Sequence, residues 1–157
     1  MEAGVTIGVD DAEFQARLAN IILQLGSQSR GLMRAVGYYM RRRTLKHFEE
    51  ESDPESKPWP LLKERTVAGR RVGPRAKTKS GARKVAILQD TGAGRRSITS
   101  LSDATSAEIG TNLYYMIFHQ EGAPRAKIPV RAFLGIADED AGGIEKLAWD
   151  YLVRVTG

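Results

Sequence analysis

Cysteine is absent from the 157 residues, which removes disulfides, thiolate metal sites and cysteine nucleophiles and suits a reducing compartment. Histidine is scarce. The two residues, His47 and His119, fall in different predicted elements, and no His–carboxylate pair at helical metal-ligand spacing recurs along the chain. No metal or cofactor is expected, and His47 is expected on a helix surface. No G-x-S-x-G elbow is present, and Thr91-Gly92-Ala93-Gly94-Arg95-Arg96 lacks the Lys-Ser/Thr that closes a phosphate loop. A non-enzyme is expected. The longest apolar cluster, Ile21 to Leu25, is far short of the ~20 residues that span a bilayer. The opening Met1-Glu2-Ala3-Gly4 has neither the basic nor the apolar region of a signal peptide. A soluble, unexported protein with no membrane partner is therefore expected.

What the chain does have is an uneven charge. Between Lys63 and Lys84 stand nine basic residues against one acid, Glu64; of 24 basic and 19 acidic residues overall, 15 and 18 remain elsewhere. The net charge of +5 belongs to one segment, and the rest of the chain is mildly acidic. Length allows a single domain that buries about 68–70% of its unfolded surface, so a true core needs no covalent staple.

Apolar periodicity supplies most of the elements. Val5, Ile7 and Val9 alternate as in a short strand. Asp10 with Glu13 forms a capping-box-like start to a helix whose Phe14, Leu18, Ile21, Ile22 and Leu25 share one face, and Gly26 ends it. A second helix is predicted from Ser29 to Glu50, with Met33, Val36, Met40, Thr44 and Phe48 on one side. Arg41-Arg42-Arg43 within it reads as a solvated face with snorkelling side chains. Val85–Leu88, Arg96–Leu101 and Ala107–Thr111 read as strands, Tyr114–Gln120 fits either a helix or a strand with a short helix favoured, and Ile128–Leu134 reads as extended at its start. A last helix covers Asp138–Val153, its opening acids matching the positive end of the helix dipole. The fold class is α+β, one domain over 1–157, with N-terminal helices and a C-terminal helix on a small, mostly antiparallel sheet.

Two connecting segments carry the remaining interest. Pro54, Pro58 and Pro60 bar a helix from continuing beyond Ser52, and they hold Trp59 on stiff backbone. That indole either packs on its own domain or docks into a neighbour. The segment 63–84, with Gly73, Pro74 and Gly81, reads as a flexible basic loop. It is either solvated, ordered by an acidic protein neighbour, or in non-specific contact with DNA through Arg70, Arg71, Arg75, Lys77, Lys79, Arg83 and Lys84, since it has charge but no aromatic to stack on bases.

The most specific stretch is Gly110-Thr111-Asn112-Leu113-Tyr114-Tyr115-Met116-Ile117-Phe118-His119-Gln120-Glu121-Gly122, followed by Ile128-Pro129-Val130-Arg131-Ala132-Phe133-Leu134-Gly135. It resembles the Mu-like phage virion morphogenesis family, also called the tail completion family, with its G-T-N-x-x-Y-A-x-x-H-Q-x-G segment and I-P-x-R-x-F-L-G. Upstream, Ser52 to Thr66 is similar to the family's Ser-Pro-x-Gly-x-x-Trp-x-x-Leu pattern, and Ile87-Leu88 with Thr91-Gly92 to its I-L-x-x-T-G turn. Four departures stand out: Ser56 near a usual glycine, Gly94 for an apolar residue, Met116 for alanine, and Glu121 for an aromatic.

The resemblance implies a structural protein of the virion that completes the tail or joins it to the head. It would assemble in the bacterial host cytoplasm as a ring of its own copies, a hexamer if it matches a tail tube, and contact tail tube or head–tail connector proteins. Thr91, Gly92, Tyr115, His119, Gln120, Gly122, Pro129 and Gly135 are then motif residues that shape the fold. Trp59, Arg131, Phe133 and Leu134 are expected at the subunit or partner interface, with Phe133→Ala leaving a folded chain but defective particles. The alternative is a small basic module that binds nucleic acid without sequence preference.

Overall fold

A computed structural model describes residues 5–6, 12–72 and 85–157. In chain order the elements are β1 (Val5–Thr6), α1 (Ala12–Leu25), α2 (Ser29–Glu50), α3 (Glu64–Val72), α4 (Ala93–Arg96), β2 (Thr99–Ser102), β3 (Ala107–Thr111), α5 (Ile117–Gln120) and α6 (Asp138–Thr156). Single 3-10 turns occupy Gly26–Gln28, Tyr114–Met116 and Pro124–Ala126. The sheet has the order β1-β3-β2, antiparallel throughout, with Val5 opposite Thr111 and Ser100 opposite Ile109. The fold is α+β, helices against a small antiparallel sheet. Residues 7–10, expected to prolong the first strand and cap α1, lie outside the described residues.

Helix α2 carries the architecture because one side of it is buried from Ser29 to Phe48. Its boundaries are those the apolar spacing predicts, and its last turn ends on Glu51 in left-handed conformation, φ 55°, with that N–H donating to the His47 carbonyl. Leu32, Met33, Val36 and Met40 pack with Phe14, Ile21 and Leu25 of α1 and Ile144, Ala148 and Leu152 of α6. About two turns further on, Phe48 enters a second cluster with Trp59, Ile87, Ile98, Met116, Phe133 and Leu134. The two clusters are thus strung on one helix. Among the described residues no helix is long and apolar enough to cross a membrane.

Of the arginine run at 41–43 only Arg42 is exposed, while Arg41 and Arg43 are half-buried and not the solvated face expected of them. Arg41 Nε donates to the Ile98 carbonyl at 2.9 Å, which ties α2 to the start of β2. Arg43 Nε meets Asp140 Oδ1 at 2.5 Å and its Nη2 meets Glu139 at 3.0 Å. Asp140 is fully buried. Its other oxygen accepts the Ala137 N–H at 3.2 Å, so the third residue of α6 both caps its helix and anchors that helix to α2. Tyr39 stands beside this pair, and its hydroxyl is raised above its usual pKa by burial first and by Asp140 next. For Arg43, burial opposes the charge, but Asp140 and Glu139 outweigh it and raise the pKa further.

His47 also departs from expectation, being 4% exposed instead of on the surface. A helix covered by α6 on one side and by the loop after its own C-terminus on another buries more than the stripe its apolar residues define. Burial lowers the His47 pKa from 6.5, with Arg43 adding to the effect and Asp140 opposing it, and Nδ1 has no hydrogen-bond partner among the described residues.

The strand expected at 85–88 is absent. Glu51 Oε1 takes the Ile87 N–H at 2.8 Å, and Gln89 Nε2 donates to the Phe48 carbonyl at 2.6 Å. Ile87 is drawn into the second core while Leu88 turns at φ 56°. The chain here closes the open end of α2 instead of joining the sheet, because side chains satisfy the backbone groups a ladder would have used. The strand expected from Arg96 starts only at Thr99, after the short helix α4. Glu64–Val72 is helical, so the first part of the segment expected as a basic loop is α3; residues 73–84 lie outside the described residues.

Removing Arg43 alone leaves the Asp140 carboxylate buried without its cation. Arg43→Met is expected to lower unfolding free energy by about 3–5 kcal/mol, and Arg43→Met combined with Asp140→Asn to recover much of it; urea unfolding of the three variants checks this. The lowered pKa of His47 favours its neutral form in the folded chain, so its contribution is complete above 6.5 and is lost as pH falls through the folded value. Thermal midpoints of the wild type should therefore fall more steeply below pH 6.5 than those of His47→Asn.

Candidate functional site

The proline-rich loop after α2 folds back on itself. Ser52 bridges to Pro58, Asp53 Oδ1 accepts the Lys57 N–H at 2.8 Å, and the Trp59 N–H returns to the Glu51 carbonyl at 2.7 Å. Ser56, near a usual glycine in the motif, turns at φ 64°, a left-handed conformation that explains the preference for glycine. The loop delivers Trp59 inward. Its ring meets Phe48 edge-on at 5.5 Å, and Phe48 meets Phe133 at 5.4 Å. The indole Nε1 donates to the Ala132 carbonyl at 2.8 Å, satisfying the one polar atom that burial would strand.

The segment 128–135 is extended but belongs to no sheet, so its backbone groups are met from other quarters. Gln120, at the end of α5, acts as a clamp: Oε1 accepts the N–H groups of Phe133 and Leu134 at 3.0 and 3.1 Å, and Nε2 donates to the Leu134 carbonyl at 2.8 Å. The Arg131 N–H donates to the His119 carbonyl at 2.7 Å. Its guanidinium donates from Nε to the Pro60 carbonyl at 2.9 Å and from Nη2 to that of Leu61 at 3.2 Å. Gly122, at φ 80°, starts the turn that leads into this segment, closed by the Ala123–Ile128 bridge. Gly135 ends it, because a Cβ there would stand 2.6 Å from Pro54 Cγ.

Trp59, Arg131, Phe133 and Leu134, expected at an interface, are 3%, 6%, 0% and 4% exposed in the folded chain; they form core and clamp, and Arg131 also lines a groove. Losing a ring such as that of Phe133 from this cluster costs about 3–5 kcal/mol, and Phe133→Ala acts on the fold before it acts on any assembly.

The motif residues converge elsewhere, on a groove of about 460 Å³. Thr91, Tyr115, His119, Pro129 and Arg131 all line it, joined by Lys63 just before α3, by Arg65 and Thr66 in its first turn, and by Lys127 and Ile128 from the turn after α5. Thr91 Oγ1 accepts the Ala93 N–H at 3.2 Å and Gly92 turns at φ 72°, which starts α4 at the groove edge. Gln120 and Gly122 stay behind the wall as supports. As lining residues, Lys63, Arg65, Leu88, Asp90 and Lys127 were not foreseen from the sequence, since they come from three separated segments and share no spacing. Among the basic residues expected to meet an acidic partner or DNA, Arg70 and Arg71 fall on α3, while Arg75, Lys77, Lys79, Arg83 and Lys84 lie outside the described residues. Among the described residues no group of three or more His, Asp or Glu is placed to hold a metal ion.

Two of the departures from the motif meet in space at the floor of this groove. A Cβ on Gly94 would lie 2.8 Å from Met116 Sδ and 3.0 Å from its Cε. The smaller residue at 94 makes room for the larger one at 116. Met116→Ala is expected to cost about 2–5 kcal/mol through the cavity it leaves, and Gly94→Val to destabilise by crowding the thioether. The double variant should cost clearly less than the sum, a non-additivity that a denaturation cycle on the four proteins reads directly.

The model of the phage virion morphogenesis family matches residues 9–153, nearly the whole chain. No curated protein and no solved structure matches it. The match spans both cores, the clamp at Gln120 and every wall of the groove, and on that extent the chain belongs to the phage virion morphogenesis family, whose role is structural and virion-associated.

Proposed function

We propose that this chain completes the phage tail or joins it to the head, acting as a ring of identical subunits assembled in the host cytoplasm. The family match over residues 9–153 carries the reading. Large apolar side chains within the motif segment support it, being exposed: Tyr114 is 68% exposed, Phe118 43% and Val130 52%. Such groups are available for association, and a closed ring would cover them on every subunit. The tail tube and the head–tail connector are the partners, and a hexamer is the subunit count that a tail tube would match.

The chain works without catalysis on this reading. His47 is committed to the α2–α6 interior, and the His119 carbonyl holds the backbone of Arg131. A non-specific nucleic-acid-binding role is the second reading, resting on the nine-to-one excess of base over acid in 63–84; it would appear as duplex affinity that falls steeply with salt.

Disrupting the gene in its phage should leave heads and tails unjoined or tails of irregular length in electron micrographs, restored by the wild-type gene in trans. Infectious particles of normal form and number from the disrupted phage would sink the proposal.

A further inference from the structure

We propose that the groove between α3, the 88–94 turn, α5 and residues 127–131 is a docking site for a short, extended, acidic segment of another virion protein. The inference rests on the assembly reading and names the chemistry of the partner. Three cations stand at the rim, Lys63, Arg65 and Lys127, against one lining acid, Asp90. All three are exposed. The ion pairs among described residues engage other cations, namely Arg17, Arg43, Lys46, Lys57, Arg95 and Lys146.

The rim alone would suit any anion, and the interior selects. Leu62, Leu88, Met116, Ile128 and Pro129 give the lining an apolar share, while Thr66, Thr91 and Tyr115 add hydroxyls. An extended peptide turns alternate side chains to opposite sides. It therefore places an apolar side chain inward while its neighbours reach the rim with carboxylates. The volume is that of a ligand cleft, enough for a few residues of extended chain. A DNA duplex fits poorly, because a concave slot of this size cannot admit its width, and phosphate tracking needs cations along an open surface. The rest of the molecule agrees in sign: outside 63–84 the chain has 15 basic residues against 18 acidic ones, so a basic slot is a local feature and not a consequence of general charge.

The walls are built to keep this shape. Arg131, which lines the slot, is fixed by the carbonyls of Pro60 and Leu61, and the 127–131 wall is fixed through the Ala123–Ile128 bridge and the His119 carbonyl. A preformed slot loses little freedom on binding, which raises affinity for a short segment.

The test uses the full-length protein and a labelled peptide alternating glutamate and leucine, read by fluorescence anisotropy at low ionic strength. The same peptide with glutamine for glutamate and a labelled DNA duplex serve as the other arms. The triple variant Lys63→Gln, Arg65→Gln, Lys127→Gln should weaken the acidic peptide by roughly tenfold. Arg34→Gln with Arg154→Gln, which removes two exposed cations from other helices, should leave it within twofold. Equal weakening by both variants, equal binding of the glutamine peptide, or no binding of the acidic peptide would overturn the proposal. So would a triple variant that loses the duplex but keeps the peptide. In the phage, the triple variant should fail to restore particles to the disrupted gene. If disruption itself leaves particles normal, the assembly role fails while peptide binding can still stand; if disruption abolishes particles and the triple variant restores them fully, the docking site is overturned and the assembly role stands.

Discussion

Phe48 occupies the point on which the rest of the structure depends. It sits near the end of a 22-residue helix whose earlier turns are already committed to α1 and α6, and its ring touches both Trp59 and Phe133. The helix is a rigid rod, so fixing its first half against α1 and α6 also fixes where Phe48 lies. The aromatic cluster then forms around a predetermined centre. Trp59 arrives on a proline-stiffened loop and Phe133 on an extended segment, two pieces of chain with little secondary structure of their own. Each is placed by a ring contact plus a backbone hydrogen bond, and neither contact would suffice without the rod.

A consequence is that the fold needs few strands. Three short strands make a sheet too small to hold a second core, and the extended segment 128–135 gains nothing from it. Side chains replace the missing ladder: Gln120 serves three backbone groups, Arg131 takes two carbonyls, and Trp59 takes one. This arrangement explains why a glutamine and an arginine sit in the motif. Each satisfies buried backbone polar groups that would otherwise cost about 1–3 kcal/mol apiece. The same contacts that complete the core also set the walls of the groove, so stability and a preformed slot come from one set of interactions.

How far the sequence was legible follows from range. Helix α2, the face of α1, strand β3 and helix α6 all rest on local periodicity and appear where that periodicity puts them. The strand expected at 85–88 failed because Ile87 and Gln89 answer to the end of α2, some 40 residues away in the chain, and local pattern holds no record of such a partner. Arg43 and His47 read as surface residues for the same reason, since their burial depends on Asp140 and α6. The burial of Trp59, Arg131, Phe133 and Leu134 was not legible because specificity of a motif says that residues matter without saying whether they face inward. Large aromatics beside a clamped backbone are a core signature, and a glutamine positioned to serve the same segment was the available sign.

The departures from the motif show how far that logic can be taken. Gly94 and Met116, read one at a time, each look like a local fault: a lost apolar side chain in one place and an oversized one in another. In space they are complementary, since the thioether fills the position a Cβ at 94 would need. Ser56 is different. It keeps φ at 64° without the freedom glycine has, so the loop carries a strain of about 1–2 kcal/mol that the turn's own hydrogen bond, the Ser56 N–H to the Asp53 carbonyl at 2.9 Å, and the buried Trp59 offset. An anchor so well packed can do so, because the indole brings ring contacts, a hydrogen bond and full burial to the same short loop. The Trp59 contacts are therefore what allow this chain to diverge at Ser56 while keeping the turn, just as Met116 allows divergence at Gly94 while keeping the floor of the groove.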